Sequence, residues 1–105
     1  MTDVNIPASI TRIWANAFKD CSSLANIYIP SSVNSIGQYA FQNVSTNAEI
    51  LLMPTTIPNI SSNTFDGDYP IYVKNECINT YKNAGGSWPA VSTRINPLTN
   101  ITYNY

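Results

Sequence analysis

The residues able to do chemistry are few. The acids are Asp3, Asp20, Glu49, Asp66, Asp68 and Glu76, and only Asp66-Gly67-Asp68 brings two together. Hard oxygen donors around a glycine begin a calcium loop, but the remaining ligands of such a loop are missing from the neighbouring sequence. A tight solvated turn accounts for the triplet better. Cys21 and Cys77 offer a disulfide or a thiol nucleophile. There is no histidine, so neither thiol has the usual activating base and the commonest metal ligand is absent. Asn43-Val44-Ser45, Asn59-Ile60-Ser61 and Asn100-Ile101-Thr102 fit the glycosylation acceptor pattern, yet Asn, Ser and Thr make up a third of the chain and such triplets arise by chance. No enzymatic activity, cofactor or metal is expected.

Charge narrows the partners. Five basic and six acidic residues are scattered over 105 positions, only 10% of the chain. That leaves no basic footprint for a phosphate backbone, so nucleic acid is not an expected partner. No apolar run approaches the roughly 20 residues that span a bilayer, and Met1-Thr2-Asp3-Val4 has neither a basic nor an apolar leader region. Membrane insertion is not expected either.

What remains is recognition, and the elements that would position it repeat. Pro7, Pro30 and Pro54 fall at intervals of 23 and 24, and Phe18, Phe41 and Phe65 follow the same intervals. Ile6, Ile29 and Met53 precede the prolines, and Ile13, Ile36 and Ile60 recur between proline and phenylalanine. Each unit opens on an apolar-x-apolar pair, Val4/Ile6, Ile27/Ile29, Leu51/Met53 and Ile71/Val73, which is the period-two signal of a short strand. The proline lacks the N–H that would continue a ladder. Hydroxyl residues Ser9, Ser32 and Thr56 then turn the chain. One unit leaves apolar residues on several sides, so copies must stack to bury them.

The register Leu24-x-x-Ile27-x-Ile29 has the leucine-rich-repeat form, and "FKDCSSLANIYIPSSVNSIGQYAF" resembles the BspA-type leucine-rich repeats of bacterial surface proteins. The likeness covers residues 4–73, with Trp14 at the Gly37 position, Val44 at the Cys21 position and Ala48 at the Leu24 position. It implies a repeat solenoid: a right-handed stack of three to four coils with short parallel strands, ended by a helical cap. The units are residues 4–26, 27–50, 51–70 and a partial 71–73, and residues 74–105 form the cap. Within it Asn75 is the expected N-cap of a helix over 75–84, stopped by Gly85-Gly86, with Trp88 packing beneath. Residues 94–105 form a final strand or a tail. Stacked strands advance about 4.8 Å per coil, which places Cys21 and Cys77 beyond disulfide reach.

At the amino end, Val4, Ile6, Ile10, Ile13 and Phe18 should present an open coil face. Half-exposing five such side chains forfeits roughly 4–7 kcal/mol at about 1.5–3 kcal/mol each. The expectation is that further repeats precede this coil or that copies self-associate through it.

The middle residue of each strand points away from the core. Asn5, Tyr28, Leu52 and Tyr72 therefore form an expected column on the concave sheet, beside Asp3, Asn26, Ile50 and Pro70. The candidate binding surface is Asn5, Asn26, Tyr28, Ile50, Leu52 and Tyr72, an apolar and aromatic patch for a protein or glycan ligand. The competing readings are scattered exposed aromatics without a role, or residues 98–105 folding over the patch. The resemblance further implies adhesion at a cell surface or outside the cell. An alternative is a purely structural cap of a longer solenoid with no ligand of its own.

Overall fold

A computed structural model describes residues 3–45, 48–61, 63–67 and 69–98, giving the backbone alone for 3–5. Short strands recur where the sequence phrase recurs, β1 (Asp3–Asn5), β3 (Asn26–Ile29), β5 (Glu49–Leu52) and β6 (Ile71–Val73), and a further one, β7 (Ile95–Pro97), follows where no copy of the phrase lies. They form one parallel sheet in the order β1-β3-β5-β6-β7. A second, two-stranded parallel sheet joins β2 (Arg12–Ile13) to β4 (Ser35–Ile36), extended by a bridge from Ser35 to Asn59. The stretches beginning at β1, β3 and β5 are called coils one, two and three.

The coils are held together by three kinds of contact. Backbone rungs cross between their turns: Asn16, Phe18 and Asp20 N–H donate to the carbonyls of Gln38, Ala40 and Gln42 at 3.0, 2.8 and 2.8 Å, and Phe41 N–H donates to Thr64 O at 2.9 Å. An aromatic column runs through the interior, with Phe18 and Phe41 5.3 Å apart and Phe41 and Phe65 5.6 Å apart, their ring planes nearly parallel. Offset rings at this spacing attract beyond their burial. Side-chain links add to both, and the Ser32 hydroxyl donates to Ile10 O of coil one at 2.5 Å. The hydroxyl expected to turn its own chain thus bonds the neighbouring coil.

The turns need left-handed backbone at fixed places. Asn16 and Tyr39, then Asp20 and Asn43, have φ of 64°, 61°, 63° and 59°. Both pairs sit at the 23-residue spacing that also relates Asp3 to Asn26 across the sheet. Coils one and two therefore share one backbone course.

Coil three departs from the expected register. Pairing places Ile29 opposite Leu52 and Ile27 opposite Ile50. Pro54 follows Pro30 by 24 residues but the strands repeat at 23, so Met53 is one extra residue between strand and proline. Counting back from the proline misplaces the inward pair: Ile50/Leu52 face the core, not Leu51/Met53. All four residues from Ile50 to Met53 are buried. Such an unbroken apolar run suits a mid-sheet parallel strand.

After β6 the chain forms a 3-10 turn over Asn75–Cys77, a short helix α1 (Ile78–Lys82) and a 3-10 segment over Trp88–Arg94 before β7. The expected single helix over 75–84 is shorter and broken, and Asn75 lies inside its first turn, the cap position falling on Lys74 with no side-chain cap. β7 pairs parallel with β6, Ile71 facing Ile95, so the expected cap returns to the sheet as one more unit. Trp88 lies as expected beneath the turn: its ring is 6.0 Å from Phe65 and 5.1 Å from Tyr81, and its indole N–H donates to Pro58 O at 3.0 Å. The Tyr81 hydroxyl donates to Pro54 O at 2.5 Å. The aromatic column of the coils is thereby closed at its carboxyl end.

The amino face is less open than its composition suggests. Ile13 is buried, Ile6 and Phe18 are half-buried, and Ile10 is exposed. Trp14 is the most exposed large apolar side chain described, at 68%.

Candidate interaction surface

On the face of the sheet turned away from the core, strand register fixes two columns. One runs Asp3, Asn26, Glu49. The other runs Asn5, Tyr28, Leu51, Tyr72, Asn96. Of the six candidate residues, Asn26, Tyr28 and Tyr72 fall in these columns, and Asn5 is in backbone register with Tyr28 while its side chain lies outside the described residues. Ile50 and Leu52 do not. Both are fully buried in the core, because Met53 is inserted after the strand rather than within it. Their places are taken by Glu49 and Leu51.

This changes the chemistry of the face. Leu51 has no exposed area and Tyr72 only 8%, while Asn26, Tyr28 and Glu49 are half-buried. The Tyr72 phenol is held above its ordinary pKa by burial first and by its interaction with the Glu49 carboxylate second. The accessible strip is two amides, a phenol and a carboxylate rather than an apolar patch. Such groups suit hydrogen bonding to a peptide backbone or a hydroxyl-rich ligand, with the Tyr28 ring as a flat contact. Glu49 and Asn96 were not singled out in the sequence. The signal was present, since Asn26 and Glu49 are 23 residues apart, the strand period, whereas the prolines are 24 apart.

Elsewhere, Asp20 and Asn43 form a side-chain ladder on the turns, the Asn43 amide donating to Asp20 at 3.1 Å, and the Gln42 amide donates to Asp66 at 2.8 Å. Asp68 lies outside the described residues, and among the described residues no three His, Cys, Asp or Glu side chains cluster to hold a metal. Cys21 and Cys77 are both free, the first half-buried and the second buried. Arg94 lays its guanidinium 4.8 Å over the Tyr69 ring and donates from Nε to Tyr69 O at 3.1 Å. A groove of about 370 Å³ lies between Ile57–Ile60 and the Ala84–Trp88 turn, and an apolar pocket of about 210 Å³ opens on the amino face.

The family is decided by comparison of the repeat with known families. Residues 1–81 match the BspA type leucine rich repeat region, defined over six copies of the repeat. The chain belongs to the BspA-type leucine-rich repeat family. No curated protein matches it significantly. The BspA-type match spans coils one to three, β6 and the start of the helical segment, and stops at Tyr81, before Trp88 and β7. Among the described residues no helix is long and apolar enough to cross a membrane.

Proposed function

We propose that this BspA-type repeat chain is a non-enzymatic interaction module that binds another macromolecule, a protein or a glycan, through the concave face of its sheet. The observation that carries this reading is the half-exposed strip Asn26, Tyr28 and Glu49, held on strands whose other face is locked into the core. Rigid strands position such groups without an ordering cost on binding. Parallel strands joined by crossovers wind right-handed almost without exception, so we take the stack as a right-handed solenoid. A surface or secreted location in a bacterium, with an adhesive role, fits the family and the low charge of the chain. The helical segment and β7 cover coil three on its carboxyl side.

The test is an array of glycans and matrix proteins probed with the full chain, followed by variants. Tyr28→Ala should weaken any captured ligand about tenfold or more, as removal of a central aromatic contact does. Lys82→Ala, on the helical segment, should leave that affinity unchanged. Binding that tolerates Tyr28→Ala and Glu49→Gln alike would remove the concave face from consideration. A second reading has its own support: Tyr81 and Trp88 close coil three by hydrogen bonds to Pro54 and Pro58, as a structural terminus would. A chain that binds nothing on the array while stabilising the repeats joined to it would favour that role.

A further inference from the structure

The repeat places a glycine at residue 37 for a steric reason. A Cβ built there would lie 2.3 Å from Ala15 N and 2.7 Å from both Ala15 Cα and Trp14 C, inside the backbone of coil one. The side-chain direction at this position therefore points at the preceding coil. Trp14 occupies the same position one period earlier: Ile13 pairs with Ile36, and the left-handed residues that follow recur at Asn16/Tyr39 and Asp20/Asn43. Its side chain leaves coil one on the side away from coil two, across the face a preceding coil would cover. The indole is 68% exposed, walls the apolar pocket with Ile6, Ile10 and Phe18, and carries the Arg12 guanidinium 4.9 Å from its ring.

The rest of that face is suited to one more coil. Gln38, Ala40 and Gln42 each accept a rung from coil one. Their counterparts Ala15, Ala17 and Lys19 accept none from the backbone N–H groups described. We propose that Trp14 is a steric stop, which bars a further coil of the same repeat from stacking in register on a face whose hydrogen-bond acceptors would otherwise receive it.

Coil three shows what a side chain at this position demands. Ser61 follows Gly37 by one unit, and its N–H is taken by Thr64 Oγ1 at 2.9 Å, while that hydroxyl donates to Gly37 O at 3.0 Å. A buried threonine thus rebuilds the contact between the coils. Coil one has Ala17 where coil three has Thr64, and an indole in place of a hydroxymethyl, so the same repair is closed to it.

The experiment joins a second copy of residues 26–48 directly ahead of residue 3, in the full chain and in its Trp14→Gly and Trp14→Ala variants. In the Trp14→Gly chain the added coil should seat, raising the thermal midpoint by about 5 °C or more, the shift of roughly one kcal/mol in a domain this small. It should also resist limited proteolysis there. With Trp14 in place the midpoint should stay within about 2 °C and protease should trim the added coil back to the native chain. Trp14→Ala should behave like tryptophan, since the Cβ alone meets the incoming backbone. An added coil protected equally in the tryptophan and glycine chains, or in neither, overturns the proposal, and full seating on Trp14→Ala overturns its steric basis.

Discussion

Three tyrosine hydroxyls are shielded by the fold, and they set its response to alkali. Tyr69 donates to Phe41 O at 2.6 Å, Tyr81 donates to Pro54 O, and Tyr72 faces Glu49. Burial raises all three above the ordinary value of 10.0, with Arg94 opposing the rise at Tyr69. A raised pKa means the folded state keeps a proton that the unfolded chain releases. The stabilisation is therefore complete below pH 10 and is lost as pH climbs from there toward the folded values. Stability should be insensitive to these groups from pH 6 to 9 and fall above 10, by about 1.4 kcal/mol per pH unit for each of the deeply buried Tyr69 and Tyr81. Thermal melts between pH 8 and 11 check this, and a flat midpoint across pH 10 would contradict it. Tyr72 also shows how far the sequence could be followed at single residues. Alternation put it on the face turned away from the core, in register with Tyr28 and Leu51, as the pairing has it. Its burial depends on neighbours across the sheet, and Leu51 and Glu49 were hidden by a one-residue insertion that a count from the prolines absorbs.

The element that closes the stack is fastened by aromatic tips. Two prolines of coil three leave carbonyls in buried surroundings, and Tyr81 and Trp88 supply the hydroxyl and the indole N–H that satisfy them. Tyr81→Phe and Trp88→Phe should each cost about 1–2 kcal/mol, since each strands an acceptor that water reaches poorly. The two rings touch at 5.1 Å, so the double variant should depart from additivity by about 0.5 kcal/mol or more. Urea unfolding of the four chains measures this; costs near zero for both single variants would mean that the latch holds nothing. The strands of coils one and two were legible because each is a period-two pair ahead of a proline. For residues 94–105 a final strand was one of two readings, but its place at Ile95–Pro97 was not legible, because Ile95-Asn96-Pro97 offers a single inward apolar residue and its strand identity comes from pairing with β6. The short α1 reflects its composition, where Asn and Thr within a few residues favour turns over helix propagation.

At the scale of the whole molecule, stability should be graded along the stack. In a repeat array each coil is held only by its neighbours, so a coil with one neighbour opens first. Phe41 and Phe65 are essentially inaccessible, whereas Phe18 is half-buried and Ile10 and Trp14 are exposed. Amides of Asn16, Phe18 and Asp20 should exchange with solvent about tenfold or more faster than those of Phe41 and Asn43, although all five make rungs of similar length. Uniform exchange across the five would show that coil one is stabilised by something other than coil two. The rungs have one further property. All five turn bonds run the same way, N–H toward the carboxyl end and carbonyl toward the amino end. Peptide dipoles of about 3.5 D aligned in this manner add, as they do along a helix. The turn column therefore carries a weak electric polarity, negative at coil one and positive at coil three. Only the third coil carries charges that answer it, Glu49 and Asp66; on the first coil Arg12 and Lys19 are matched by Asp3 and Asp20. An approaching ion would meet a field before it met any side chain, and this nearly uncharged molecule would turn to present its two ends differently to cations and anions.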